Sequence, residues 1–147
     1  MKRHMISMLV VVAAMGCDKK KSGGSGAGAT STEAATYLRQ IEKAAKQAAV
    51  ENGGFPMGTT GLTPSGSCCA SPDKKCAPDP SLWTDGVWTA LSFTVDDPAS
   101  FQYSYSADAA DHFMAVAVGD PGCTGKEVTY TLKGSMKDGS PVFEYLQ

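Results

Sequence analysis

The chain has 147 residues, with 13 Lys and Arg against 15 Asp and Glu, a length that fits one domain. Between Lys75 and Lys126 there is no Lys or Arg, while Asp79, Asp85, Asp96, Asp97, Asp108, Asp111 and Asp120 all fall there. A head this acidic excludes nucleic acid as an expected partner, because phosphate contacts need clustered cations.

The first element in chain order is a processing segment. Met1-Lys2-Arg3-His4 opens it, Met5 to Gly16 forms an apolar run, and Cys17-Asp18-Lys19-Lys20-Lys21 closes it. A charged start, an apolar core and a small residue before the cut site are the order of an export signal. The run is well short of the roughly 20 residues that span a bilayer, so residues 1–16 are predicted to be removed. Gly16-Cys17 resembles the lipobox of bacterial lipoproteins, although Ala14 stands where Leu is usual and Met15 is larger than the typical residue. The resemblance implies a lipid (diacylglycerol and further acyl chains such as palmitate) on Cys17, which becomes the new N-terminus. Each buried methylene adds about 0.8 kcal/mol to such an anchor. Removal takes Lys2 and Arg3 with it, leaving a net charge of about −4. Residues 17–32 read as anchor and flexible linker. Lys20 to Thr32 is Lys, Ser, Gly, Ala and Thr, which bury little apolar surface, and its glycines lack the flanking strand and Lys-Ser/Thr of a phosphate loop.

The globular domain is expected over 33–147. Thr30-Ser31-Thr32-Glu33 has the pattern of a capping box, predicting a helix start there. Ala34, Tyr37, Leu38, Ile41, Ala45 and Ala48 then recur at three- and four-residue spacing, with Glu42 and Lys46 placed for an i,i+4 pair. Asn52-Gly53-Gly54 and Pro56 end the helix. Its apolar stripe is thin in alanine, so the helix is expected to lie close on a sheet.

Residues 55–85 show no periodicity. A loop that long needs a staple, and Cys68, Cys69, Cys76 and Cys123 supply it. Four cysteines in an exported chain predict two disulfides. A bond between adjacent Cys68 and Cys69 would strain the peptide between them, so Cys76 pairs with either one and Cys123 with the other. A four-cysteine zinc site is the weaker alternative, lacking paired Cys-x-x-Cys knuckles. Trp83 and Trp88 are expected to cover the core edge where the loop re-enters; the alternative use of the pair is to stack a small ligand in an aromatic cleft.

From Leu91 onward the pattern switches to strands. Residues 101–106 alternate aromatic and polar, 112–118 are more continuously apolar as in a central strand, 127–133 alternate again, and 141–146 begin with a Pro suited to an edge. Short turn-rich separators at 107–111, 119–125 and 134–140 predict an antiparallel meander of about four strands with the helix on one face, an α+β fold.

Tyr37-Leu38-x-x-Ile41-x-x-Ala44-Ala45, Gly54-Phe55-Pro56, Trp88-x-x-Leu91-x-Phe93, Phe101-x-Tyr103-x-Tyr105 and Phe113-x-Ala115-x-Ala117-x-Gly119-Asp120 follow one another in this layout. Together they resemble the globular heads of type IV pilins and pseudopilins. The pilin processing site, Gly-Phe-Thr-Leu-x-Glu, and the long polymerising helix are missing, so the resemblance implies a head outside the filament. Related heads continue Gly-Asp with further acidic residues suited to calcium; here Asp120-Pro121-Gly122-Cys123-Thr124-Gly125 offers one carboxylate, against calcium binding.

No catalytic set is expected. Of two histidines, His4 leaves with the leader, and His112 starts an apolar strand as an edge residue. No Gly-x-Ser-x-Gly elbow frames a serine, oxidised cysteines are not nucleophiles, and Asp96-Asp97 would point to opposite sides. No cofactor is expected. The function expected is that of a non-catalytic lipoprotein of the cell envelope, anchored in a membrane and meeting proteins of a pilus or secretion apparatus.

Overall fold

The structure, a computed structural model, describes residues 27–147, with side chains from Thr32 onward. Cys17 and the expected leader over residues 1–16 lie outside the described residues. The long helix α1 runs Ala27–Asn52, the sheet comprises β1 Gly58–Thr59, β2 Phe101–Ala109, β3 His112–Gly119, β4 Val128–Lys137 and β5 Ser140–Leu146, and a short helix α2, Gly86–Ala90, precedes β2. The strands are antiparallel in the order β1-β2-β3-β4-β5. The α+β architecture stands, with five strands instead of about four.

The extra strand comes from the stretch read as structureless. Gly58 and Thr59 pair with Ala107 and Ser106, and Thr63 exchanges backbone bonds with Tyr103 at 2.8 and 2.9 Å. Two residues carry no periodicity to read. Their pairing is imposed by the unused edge of β2, whose backbone groups need partners once buried.

α1 starts at Ala27, inside the stretch assigned to the linker, so Thr30 is an interior residue and not a cap. Glu33 therefore does not close a capping box. Its Oε1 accepts the N–H groups of Ser100 (2.8 Å) and Phe101 (3.2 Å) at the start of β2. The buried stripe is Ala34, Leu38, Ile41, Ala45 and Ala49, and it meets Ala115, Ala117 and Leu132 of the sheet in one core. Small residues on both sides let helix and sheet approach closely. Glu42 is taken by the Tyr145 hydroxyl rather than by Lys46. The helix ends where expected, with Gly53 at φ 76° and its N–H on Ala49 O at 2.9 Å.

Gly54-Phe55-Pro56 has a physical role at each position. A Cβ on Gly54 would lie 2.7 Å from that of Ala110, so only glycine permits the approach that lets Phe55 N–H reach Ala110 O at 2.7 Å. The Phe55 ring then packs edge-on against Phe113 at 4.8 Å and Phe143 at 6.1 Å, and Pro56 O accepts the Tyr105 hydroxyl at 2.9 Å.

Phe101, Tyr103 and Tyr105 face the helix and are buried, as alternation predicts. β3 is the central strand, but among its side chains only Phe113, Ala115 and Ala117 are buried, together with Gly119; Val116 and Val118 are half-buried and Met114 is exposed, because among the described residues no second layer covers the outer face. β4 runs through the separator expected at 134–140. The turn shrinks to Asp138-Gly139, both at positive φ (51° and 76°), the conformation a two-residue hairpin demands and Asp-Gly adopts readily. Gly134 is thus mid-strand, and the Phe113 ring occupies the space where its Cβ would be, 2.1 Å from Cε1.

Candidate functional site

The cysteine loop is the feature that sequence singled out most clearly among the described residues. Cys68 bonds Cys76 (S–S 2.05 Å) and Cys69 bonds Cys123 (2.06 Å). A turn of 3-10 helix over Cys68–Ala70, with Ser67 Oγ accepting the Cys69 N–H at 3.3 Å, separates the two adjacent thiols. Successive side chains of such a helix point about 120° apart. Cys68 therefore turns inward beside Phe101 O, and Cys69 turns to the β3–β4 loop, with its sulfur 3.1 Å from Asp120 O. Cys76 also exchanges backbone bonds with Ala99 at 2.8 and 3.0 Å. All four sulfurs are consumed in disulfides, so a four-cysteine zinc site is ruled out in this state.

Trp83 and Trp88 do not line a cleft. Trp88 is fully buried and Trp83 is 6 % exposed. Their centroids lie 5.4 Å apart and each packs on Phe93, at 5.3 and 5.0 Å, with Tyr103 completing the group. Trp88 Nε1 donates to Thr63 Oγ1 at 3.3 Å. Local capping sets this arrangement: the Asp85 carboxylate accepts the N–H groups of Val87 and Trp88, which starts α2 and turns Trp88 inward. The cavity beside Trp83 is about 10 Å³, too small for a ligand. Both rings are packed into the core, where their area stabilises the molecule more by closing the loop over β2 than by facing water.

Asp120 is used by its own loop. Its carboxylate accepts the N–H groups of Thr124 (3.0 Å) and Gly125 and the Thr124 hydroxyl, and the Thr124 amide in particular holds it below the ordinary carboxylate range. Among the described residues no cluster of three or more His, Cys, Asp or Glu is arranged to hold a metal ion.

Two grooves flank the meander. The first, about 580 Å³, is lined by His112, Asp108, Met114, Lys133, Val142 and Glu144 among others. His112 is exposed, as expected of an edge residue, yet it has two partners that sequence reading did not assign. Asp111 lies 2.6 Å from Nδ1 and Asp108 lies 2.8 Å from Nε2. The two-residue turn Ala110-Asp111 between Ala109 and His112 brings all three together. The Asp111 hydrogen bond raises the imidazole pKa, with both carboxylate charges adding to it. Both ring nitrogens thereby have a carboxylate partner. The signal was present as Asp-x-x-Asp-His, but it depends on a turn type that the separator 107–111 did not specify.

The second groove, about 510 Å³, lies between α1 and the end of the sheet, lined by Thr36, Arg39, Tyr130, Tyr145, Leu146 and Gln147 among others. Arg39 makes no ion pair within 4.0 Å with the described residues. Tyr145 fixes one wall through its bond to Glu42, and desolvation with that carboxylate raises its own pKa.

Comparison with known protein families, with curated proteins and with solved structures found no match for this chain. Among the described residues no helix is long and apolar enough to cross a membrane.

Proposed function

We propose that the protein is a membrane-anchored envelope lipoprotein with a pilin-like head that works without catalysis, as an interaction or accessory protein of a pilus or secretion apparatus. The observation that carries the reading is the ordered run Lys2-Arg3, Met5 to Gly16, then Cys17, followed by Lys19-Lys20-Lys21. A leader of that form, ending on a small residue before Cys, suits export and lipidation, and the three lysines suit anionic headgroups beside the anchor.

The head supports the same reading from a different direction. Cys68, Cys69, Cys76 and Cys123 are all paired, as expected of a chain matured in an oxidising compartment. One long helix, a stapled loop and a meander are the layout that resembles a pilin head, and fold likeness of this kind is analogy. In a pilin the head hangs from a polymerising helix; in this reading a lipid on Cys17 takes that place.

Cys17→Ser tests the anchor. The variant is expected in the soluble fraction and without incorporation of an alkyne-labelled palmitate, whereas the parent stays with membranes and takes up the label. A Cys17→Ser protein that still sediments with membranes would refute lipid anchoring through this residue.

A further inference from the structure

β5 is the one long strand of the described sheet whose outer side has no partner. Across the sheet, β1 is two residues long and its chain continues into the stapled loop. β5 pairs with β4 without a break from Ser140 to Leu146. Exposed edges are normally blunted by lysine, proline or a bulge. β5 has no lysine and no bulge, its single proline stands at Pro141, and Val142, Tyr145 and Leu146 are each at least 40 % exposed. Such an edge is a template for another strand.

We propose that the occupant is β5 of a second copy of this chain, added antiparallel about a two-fold axis through Phe143. Register decides the match. With Phe143 opposite Phe143 of the second copy, all seven residues of β5 overlap, and Val142 comes opposite Glu144 of the second copy. Moving the axis to Glu144 would put two carboxylates face to face, which destabilises a pair. A one-residue slip would place helix-side residues against outer-face ones. The full-overlap register pairs the most residues and also avoids that like-charge opposition.

The surroundings fit a self-complementary interface. The face of α1 beside β5 carries both Arg39 and Glu42, the latter held by Tyr145. Lys133 and Lys137 of β4, Asp138 of the turn and Glu144 of β5 balance one another in charge, so no excess of like charge stands on this hairpin. Pro141 of the second copy comes opposite Tyr145, at the groove of about 510 Å³ beside α1.

The test uses the full chain in the cells that produce it, with the photo-crosslinking residue p-benzoylphenylalanine in place of Leu146. Irradiation is expected to give a covalent dimer whose cross-linked peptide joins position 146 to the neighbourhood of Ser140. Val142→Glu should reduce the dimer about tenfold by creating two Glu–Glu oppositions. Adding Glu144→Lys should restore it, and Val142→Lys alone should raise it, with near-UV circular dichroism checking the fold of each. Cross-linking to a different protein, no cross-link, a dimer indifferent to Val142→Glu, or failure of both lysine variants would overturn the proposal.

Discussion

Oε1 of Glu33 lies 2.8 Å from the amide nitrogen of Ser100, tying the first turns of α1 to the start of β2 across 67 residues of sequence. The same oxygen takes the Phe101 N–H. Helix and sheet are thus joined by a carboxylate as well as by the alanine stripe.

Glu33 makes stability depend on pH. Burial pushes its carboxyl above the ordinary value of 4.5, against the pull of the Ser100 and Phe101 amides and of Lys75. The folded chain then holds this proton more tightly than the unfolded chain, so its contribution falls as pH rises from about 4.5 through the raised folded value. Glu33→Gln keeps an acceptor and should flatten that part of the profile. Glu33→Ala strands two amides and should cost about 2–4 kcal/mol. Urea titrations between pH 4 and 8 separate the two; equal losses at every pH would show that the carboxylate is not the joint.

The two core tyrosines of β2 should respond oppositely to loss of a hydroxyl. Tyr103 is fully buried and its hydroxyl has no hydrogen-bond partner among the described residues, so Tyr103→Phe is expected to be neutral or to stabilise by about 1–2 kcal/mol. Tyr105 donates to Pro56 O, and Tyr105→Phe should cost about 1 kcal/mol. Chemical denaturation of the two variants beside the parent measures both.

The disulfides differ in what they constrain. Cys69–Cys123 closes a separation of 54 residues and Cys68–Cys76 one of 8. By chain entropy the first stabilises by about 4 kcal/mol and the second by about 2.5 kcal/mol. Cys69→Ala/Cys123→Ala should therefore lower the urea midpoint more than Cys68→Ala/Cys76→Ala. Peptide mapping of the unreduced protein should recover these two pairings; a 69–76 link would contradict the turn at Cys68–Ala70.

Glycine is required where the sheet closes on itself. A Cβ at Gly119 would stand 2.3 Å from Ser100 O, and one at Gly134 would enter the Phe113 ring. Gly119→Ala meets backbone and should cost at least about 2 kcal/mol, while Gly134→Ala meets a side chain that can shift and should cost about 1–3 kcal/mol. Thermal melts of the two variants check the order.

The α1 stripe, its glycine stop, the alternating β2 and the terminal β5 were legible because local periodicity and turn chemistry specify them. So was the need for two bridges, from the cysteine count and the length of the unpatterned loop. β1 was not legible, since two residues have no period, and neither was the extension of β4, since Gly134 reads as a turn until Phe113 is placed over it. The His112 partners and the grooves were equally hidden, because each depends on which residues the turns bring together. The assignment of Trp83 and Trp88 was left open by sequence, as a large ring suits a core and a cleft alike.

Sequence by itself determined the α1 helix, the order of the four longer strands and the cysteines available for pairing, all of which depend on neighbours within a few residues. Tertiary structure decided which cysteine meets which, where Glu33 reaches, that both tryptophans are core and that β5 keeps a free edge. Most of those outcomes rest on contacts between residues tens of positions apart, and only the packed chain fixes them.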